Sequence, residues 1–219
     1  MSRRETPDQP RPAPATPWRQ ANGLLRSWRY DALLEEGRRA WAAGDAPDAA
    51  EPAAPERTSV LWRFEASAEP WRLRMTAVER TGVDDGREEI RVDGTRWWAR
   101  SRGRAHSGDA REGQSIGTDG LATMLRPPDV VELLGLRPTA RPARTGGRAL
   151  IEYAGALPDP GADLPRWEDA SFELGDLVVL GSDGYRLTVD ADTGVVVAWQ
   201  ASVGGHPARG AELRDLRLT

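Results

Sequence analysis

Alternation governs most of this chain. In 58–68, TSVLWRFEASA, the side chains of Val60, Trp62, Phe64 and Ala66 fall on every second position. In 70–80, PWRLRMTAVER, Trp71, Leu73, Met75 and Ala77 do the same, with Arg72, Arg74 and Thr76 between them. Successive strand residues point to opposite faces, so this pattern predicts half-buried antiparallel strands. Ile90 and Val92 continue it, and Asp93-Gly94 between REEIRV and TRWWARS is a strong hairpin signal. Further strands are predicted over 136–157, turning at Gly146-Gly147, and three more over 184–218, turning at Asp190–Gly194 and Gly204-Gly205. The interval 158–181 reads equally as strands or as a covering loop.

Other segments follow a helical or an irregular pattern. Residues 24–44, LLRSWRYDALLEEGRRAWAAG, place Leu25, Trp28 and Ala32 on one helical face, continued by Leu34, Gly37 and Trp41. A second helical patch is expected over 120–136, broken at Pro127-Pro128. Residues 101–118 read as a polar loop. The expected organisation is a disordered Pro-, Ala- and Arg-rich arm (1–17), an amphipathic helix (18–44), an acidic Pro-rich linker (45–57) and one mainly β domain (58–219). Its fold class is mainly β (α+β): a single curved antiparallel sheet, an open half-barrel, with the helix and the helical patch against the concave face.

Composition narrows the function. Of 219 residues, 23 are Gly and 17 Pro, in keeping with many turns. The net charge of −4 gives no global attraction to nucleic acid or anionic membrane. There is no cysteine, which removes disulfides, thiolate metal sites and a cysteine nucleophile. Met1-Ser2-Arg3-Arg4 is followed by no apolar segment, and no stretch approaches a membrane span, so the expectation is a cytoplasmic protein without integral membrane association.

Candidate chemistry is sparse. Asp190-Ala-Asp192-Thr-Gly194 partly matches a calcium loop, but Ala201 stands where a bidentate glutamate belongs, and a turn is the simpler reading. His106 and His206 sit in separate predicted turns, too few for a zinc site. Arg100, Arg102 and Arg104 alternate beside two tryptophans, which suits a solvated strand face better than a single-strand nucleic-acid site in an acidic protein. No acid–base or nucleophile set converges, so no enzyme, metal or cofactor is expected.

The run LGSDGYRLTVDADTGVVVAWQASVGGHPARGAELRDLRL (180–218) is similar to the C-terminal strands of LolA-like proteins, especially actinobacterial members. TGGRALIEYAG (145–155) resembles that family's G-R-x strand, and DGTRWWA (93–99) its strand after a D-G turn. The resemblance implies an open, strongly curved sheet with an apolar concave side gated by helices. Relatives carry lipoprotein acyl chains or lipids there, and RseB-like relatives sense envelope proteins and restrain an anti-sigma factor. Neither an export signal nor an anchoring cysteine is expected from these residues, and no functional residue is carried over.

The resulting expectation is a binding module for a lipid, acyl chain or apolar peptide. Its groove candidates are Trp62, Phe64, Trp71, Leu73, Met75, Trp98, Tyr153 and Trp199. Trp97 and Trp98 are adjacent and face opposite ways. Leu25, Trp28, Leu34 and Trp41 are the lid candidates, on a helix lying across the groove and freed by its linker. The alternative is a regulatory or scaffold protein that uses the sheet and the helix to engage a protein partner, with no small ligand.

Overall fold

The computed structural model describes residues 18–45, 57–82, 86–109, 118–125, 130–139, 143–145, 147–156 and 177–219. The expected arm (1–17) and nearly all of the linker (46–56) lie outside them, as do Pro127-Pro128, Gly146 and most of the ambiguous interval (158–176).

Among the described residues, twelve strands form one sheet. They are β1 (Gln20–Tyr30), β2 (Arg57–Ser67), β3 (Arg72–Thr81), β4 (Arg87–Asp93), β5 (Arg96–Ser101), β6 (Arg104–Asp109), β7 (Arg137–Pro138), β8 (Ala143–Thr145), β9 (Arg148–Gly155), β10 (Gly184–Asp190), β11 (Val196–Val203) and β12 (His206–Leu218). The order is β6-β5-β4-β3-β2-β1-β12-β11-β10-β9-β7, with β8 also on β9. Every pairing among the described residues is antiparallel, and the terminal strands β6 and β7 do not meet, so the sheet stays open.

The centre of this sheet corrects the sequence reading. Residues 20–30, expected as the first half of a helix, form β1, paired from Gln20↔Ser67 to Tyr30↔Arg57 on one side and from Ala21↔Leu218 to Arg29↔Arg209 on the other. The expected boundary at residue 58 is therefore no boundary, since β1 joins the two halves of the sheet. The reason is that β1 hides its alternation. Its inner positions are Ala21, Gly23, Leu25, Ser27 and Arg29, its outer ones Asn22, Leu24, Arg26, Trp28 and Tyr30, and neither set is cleanly apolar. Two flanking strands satisfy the backbone groups of a central strand, and that tertiary pairing overrides a weak local pattern. Residues 104–109 correct a second expectation: they form β6, folded onto β5 through the turn at Arg102-Gly103, so Arg102 leaves the strand and no arginine ladder forms.

The helix that does form is α1 (Asp31–Ala43), opened by an acidic residue that suits the dipole at its N-terminus. Gly44 ends it in the left-handed region at φ 74°. Leu33, Gly37 and Ala40 are its buried side, and Leu33 packs with Val203 and Ala208 at the β11–β12 hairpin. Two short helices, α2 (Leu121–Leu125) and α3 (Val130–Leu133), complete the described elements.

Asp190 is the expected turn residue. Its Oδ1 accepts the N–H groups of Asp192 (3.0 Å) and Thr193 (3.2 Å), and Gly194 N–H returns to its carbonyl oxygen.

Candidate functional site

The inner face of the sheet is a continuous apolar surface. Across it run Leu25 beside Trp62, Phe64 beside Met75, Met75 beside Ile90, and Leu187 between Tyr153 and Trp199. These strands supply the alternation, and the sheet's curve turns their apolar sides towards one another. The chain covers this face with its own segments. Leu121, Met124 and Leu125 of α2, Val130 of α3, then Leu134, Leu136, Leu177 and Val179 all belong to the same buried cluster. Trp18 ties the cover down, its Nε1 donating to the Leu125 carbonyl at 3.1 Å while its ring meets Trp71 edge-on at 6.4 Å. The helical patch expected against the concave face is thus in place.

One polar cluster interrupts this surface. Asp119, just before α2, has φ 52° and turns its carboxylate into the inner face. Its Oδ2 accepts from Ser27 Oγ (2.7 Å) and Trp62 Nε1 (2.8 Å), and its Oδ1 from Arg87 Nη2 (3.0 Å). Three strands, β1, β2 and β4, therefore hold one carboxylate on the covering segment. The Asp119 side chain is 12% exposed and that of Arg87 21%, so the pair is strongly shielded from water. A recess of about 30 Å³ beside it, bordered by Arg29, Thr58 and Arg209, has room for about one water molecule. Trp199 Nε1 is buried with no hydrogen-bond partner among the described residues, and a Cβ on Gly120, the residue after Asp119, would stand 3.3 Å from it.

A second clip holds residues 177–182. The Tyr185 hydroxyl accepts from Val179 N–H (2.7 Å), and Ser182 Oγ lies 2.8 Å from both that hydroxyl and the Val179 carbonyl oxygen. Burial, against weaker opposing hydrogen bonds and the charge of Arg209, pushes the phenol up to about 12. A raised value in the folded state favours the protonated phenol. The contribution is fully present below the ordinary tyrosine range near pH 10 and is lost as pH rises towards 12. Tyr185→Phe is expected to cost about 1–3 kcal/mol, because Val179 N–H and Ser182 are left in an apolar site. It should also flatten the alkaline limb of the unfolding curve. Urea denaturation at pH 8 and between pH 10 and 12 checks both, and an unchanged midpoint at pH 8 would remove the clip.

The predicted groove residues divide. Trp62, Phe64, Leu73, Met75, Tyr153 and Trp199 are all buried on the inner face, and Trp71 packs half-buried at its edge. Trp98 is a correction. It stands opposite Arg91, whose guanidinium lies 5.3 Å from its ring, on the outer face, while Trp97 pairs with Val92 and packs against the core. The lid candidates are corrected too. Leu25 is a wholly buried core residue of β1, and Trp28 lies on the outer face of β1, stacked under the Arg57 guanidinium. Leu34 bridges the two buried clusters, and Trp41 is exposed. Among the described residues, the cover over the inner face is α2, α3 and 177–182, with α1 docked at one end. Asp119 and Trp18 were not singled out from the sequence.

The roomier recesses lie across the sheet from this surface. One, of about 870 Å³, is bordered by Asn22, Arg63, Glu65, Arg72, Arg74 and Arg217. Another, of about 470 Å³, lies between Trp28, Glu152, Arg186 and Gln200. Both are open troughs with charged residues and apolar ones in their lining, Leu24, Phe64 and Leu73 in the first, and volume alone does not make either one the site. Arg74, on the rim of the first, also reaches a buried carboxylate, Glu89: burial raises its pKa, but hydrogen bonds and charge from Arg91 (2.9 Å) and Arg74 (3.1 Å) outweigh this and hold it below the ordinary glutamate range.

No family model and no curated protein matches the chain. Solved structures with a similar layout exist. An uncharacterised conserved protein from Thermus thermophilus has a TM-score of 0.48 at 8% identity, over 92% of this chain and 79% of that one. The Mycobacterium tuberculosis lipoprotein LppX has a TM-score of 0.42 at 12% identity, over 91% and 86%. A LolA superfamily protein from Nitrosomonas europaea has a TM-score of 0.30 at 10% identity, over 94% and 88%. The chain itself folds as an open antiparallel sheet with helices over one face. Likeness at this distance concerns layout, and the chemistry of the site rests on its own residues.

Proposed function

We propose that the protein is a non-enzymatic binding module whose inner face takes up an apolar chain when the covering segments move aside. The observation that carries this reading is the cover itself. It is built from a five-residue and a four-residue helix, too short to be stable by themselves, laid on a large apolar surface and fastened by separate polar clips. Such an element opens at less cost than the sheet beneath it. The aromatic and aliphatic side chains of Trp62, Phe64, Leu73, Met75, Tyr153 and Trp199 would then line the groove.

The completeness of the packing favours a second reading. Leu121, Met124 and Leu134 have no exposed surface, so a permanently filled face serving a protein partner from its outer side is the competing function. Native mass spectrometry of gently purified protein separates the two. Bound lipid, or one equivalent of a neutral hydrophobic dye taken up faster by Met124→Ser than by the wild-type chain, supports the groove. An empty protein that takes up no dye in either form favours the partner reading.

A further inference from the structure

From the Asp119 cluster we infer that the groove's ligand carries a carboxylate head, and that Asp119 occupies its place in the closed protein. The inference rests on the apolar-chain reading above and adds the chemistry of the head group.

Four observations converge on it. Asp119 and α2 together have the form of an acidic amphiphile: a carboxylate, then Gly120, then Leu121, Met124 and Leu125 lying along the apolar face. Both carboxylate oxygens are engaged by side chains of the sheet, Oδ2 by two neutral donors and Oδ1 by a guanidinium. Trp62 is 1% exposed, so its Nε1–H loses its partner in a dry site if the segment lifts away and nothing replaces Asp119. Trp199 Nε1 is a further buried donor beside Gly120, with no partner among the described residues in the closed form.

An uncharged chain entering this groove would strand the indole donors and give Arg87 nothing in place of the Asp119 carboxylate. A long-chain carboxylic acid in its ionised form restores the contacts that Asp119 gives up. Arg209, 5.9 Å from the Trp199 ring, and Arg29, already paired to Asp31 at 3.0 Å, extend the positive side of the same recess. Closure and ligand binding then compete for one set of donors. The covering segment has the advantage of being tethered, and a ligand must match both its head and its tail to displace it.

The test compares oleate with 1-monooleoylglycerol, probes of equal chain length with a charged and a neutral head. It uses the wild-type chain, Asp119→Ala, and Asp119→Ala combined with Arg87→Gln. Removing the resident carboxylate is expected to raise oleate affinity at least tenfold and monooleoylglycerol affinity much less, with the difference lost in the double variant. In the wild-type chain, oleate should move the indole N–H resonances of Trp62 and Trp199 and the neutral probe should not, a readout that does not depend on the variants folding. Equal uptake of both probes by Asp119→Ala, with no head-dependent indole shift, overturns the carboxylate assignment and leaves the apolar groove standing. Uptake of neither probe by any form overturns the groove, and the assignment with it.

Discussion

Trp62→Ala is expected to cost about 3–5 kcal/mol, the range for removing a buried tryptophan from a well-packed core. That is a large share of the roughly 5–15 kcal/mol that ordinarily separates a folded domain from its unfolded chain. Two effects add. The ring, 1% exposed, fills the inner face between Leu25 and Ala77, and its removal leaves a cavity there. Its Nε1–H also vanishes from the Asp119 cluster, so Oδ2 is left with Ser27. Trp62→Phe separates the two, because it keeps most of the apolar filling and removes the donor, at about 1–3 kcal/mol. Trp98→Ala is the control. On the outer face beside Arg91, it should change stability by about 0.5 kcal/mol or little more. Chemical denaturation of the three variants measures this, and a Trp98 effect as large as that of Trp62 would mean that the sheet's faces are assigned the wrong way round.

That contrast marks what the sequence made legible. Alternation is clean in β2, in the first half of β3 and over most of β10, because one side of each meets the core and the other meets water. The Trp97–Trp98 choice was also within reach. Any two-residue turn at Asp93-Gly94 places Trp97 on the face of Ile90 and Val92, so counting across the hairpin assigns it inward. β1 was out of reach by pattern, since its inner face carries Ser27, which donates to Asp119, and Arg29, which lines the adjoining recess. A strand that holds polar donors at a buried site loses the contrast by which strands are recognised. Leu25 and Trp28 then fall three apart by accident and imitate a helical face. Asp119 carries only a faint signal, an aspartate and a glycine immediately before an apolar helix, which reads as an ordinary helix start. Its partners come from residues 27, 62 and 87, and only the fold brings those together.

Gly181→Ala should be the second most damaging change, at about 2–5 kcal/mol. Gly181 has φ 78°, a conformation that costs an L-residue about 1–2 kcal/mol. A Cβ there would overlap the carbonyl carbon and oxygen of Gly37, and no rotamer relieves a clash with helix backbone. Overpacking of this kind typically costs a further ~1–3 kcal/mol, so α1 must lift from residues 177–182. Gly37→Ala probes the same contact from the other side. Alanine is better than glycine in a helix by about 1 kcal/mol. Yet its Cβ would meet the Gly181 oxygen at 2.9 Å and Val203 Cγ2 at 3.0 Å. The gain in propensity and the clash therefore oppose one another, and the variant should fall well short of that stabilisation. Hydrogen exchange localises the effect: in Gly181→Ala the amides of α1 should lose protection before those of β1 and β12. If the variant matches the wild-type chain to within about 0.5 kcal/mol, α1 does not dock there. The consequence reaches the groove, because Gly181 adjoins Ser182, whose hydroxyl contacts Tyr185 and the Val179 carbonyl, and Leu177 and Val179 lie in the core. Undocking α1 loosens one end of the cover while Asp119 still fastens the other. Dye uptake by Gly181→Ala should therefore rise less than in a variant lacking Asp119.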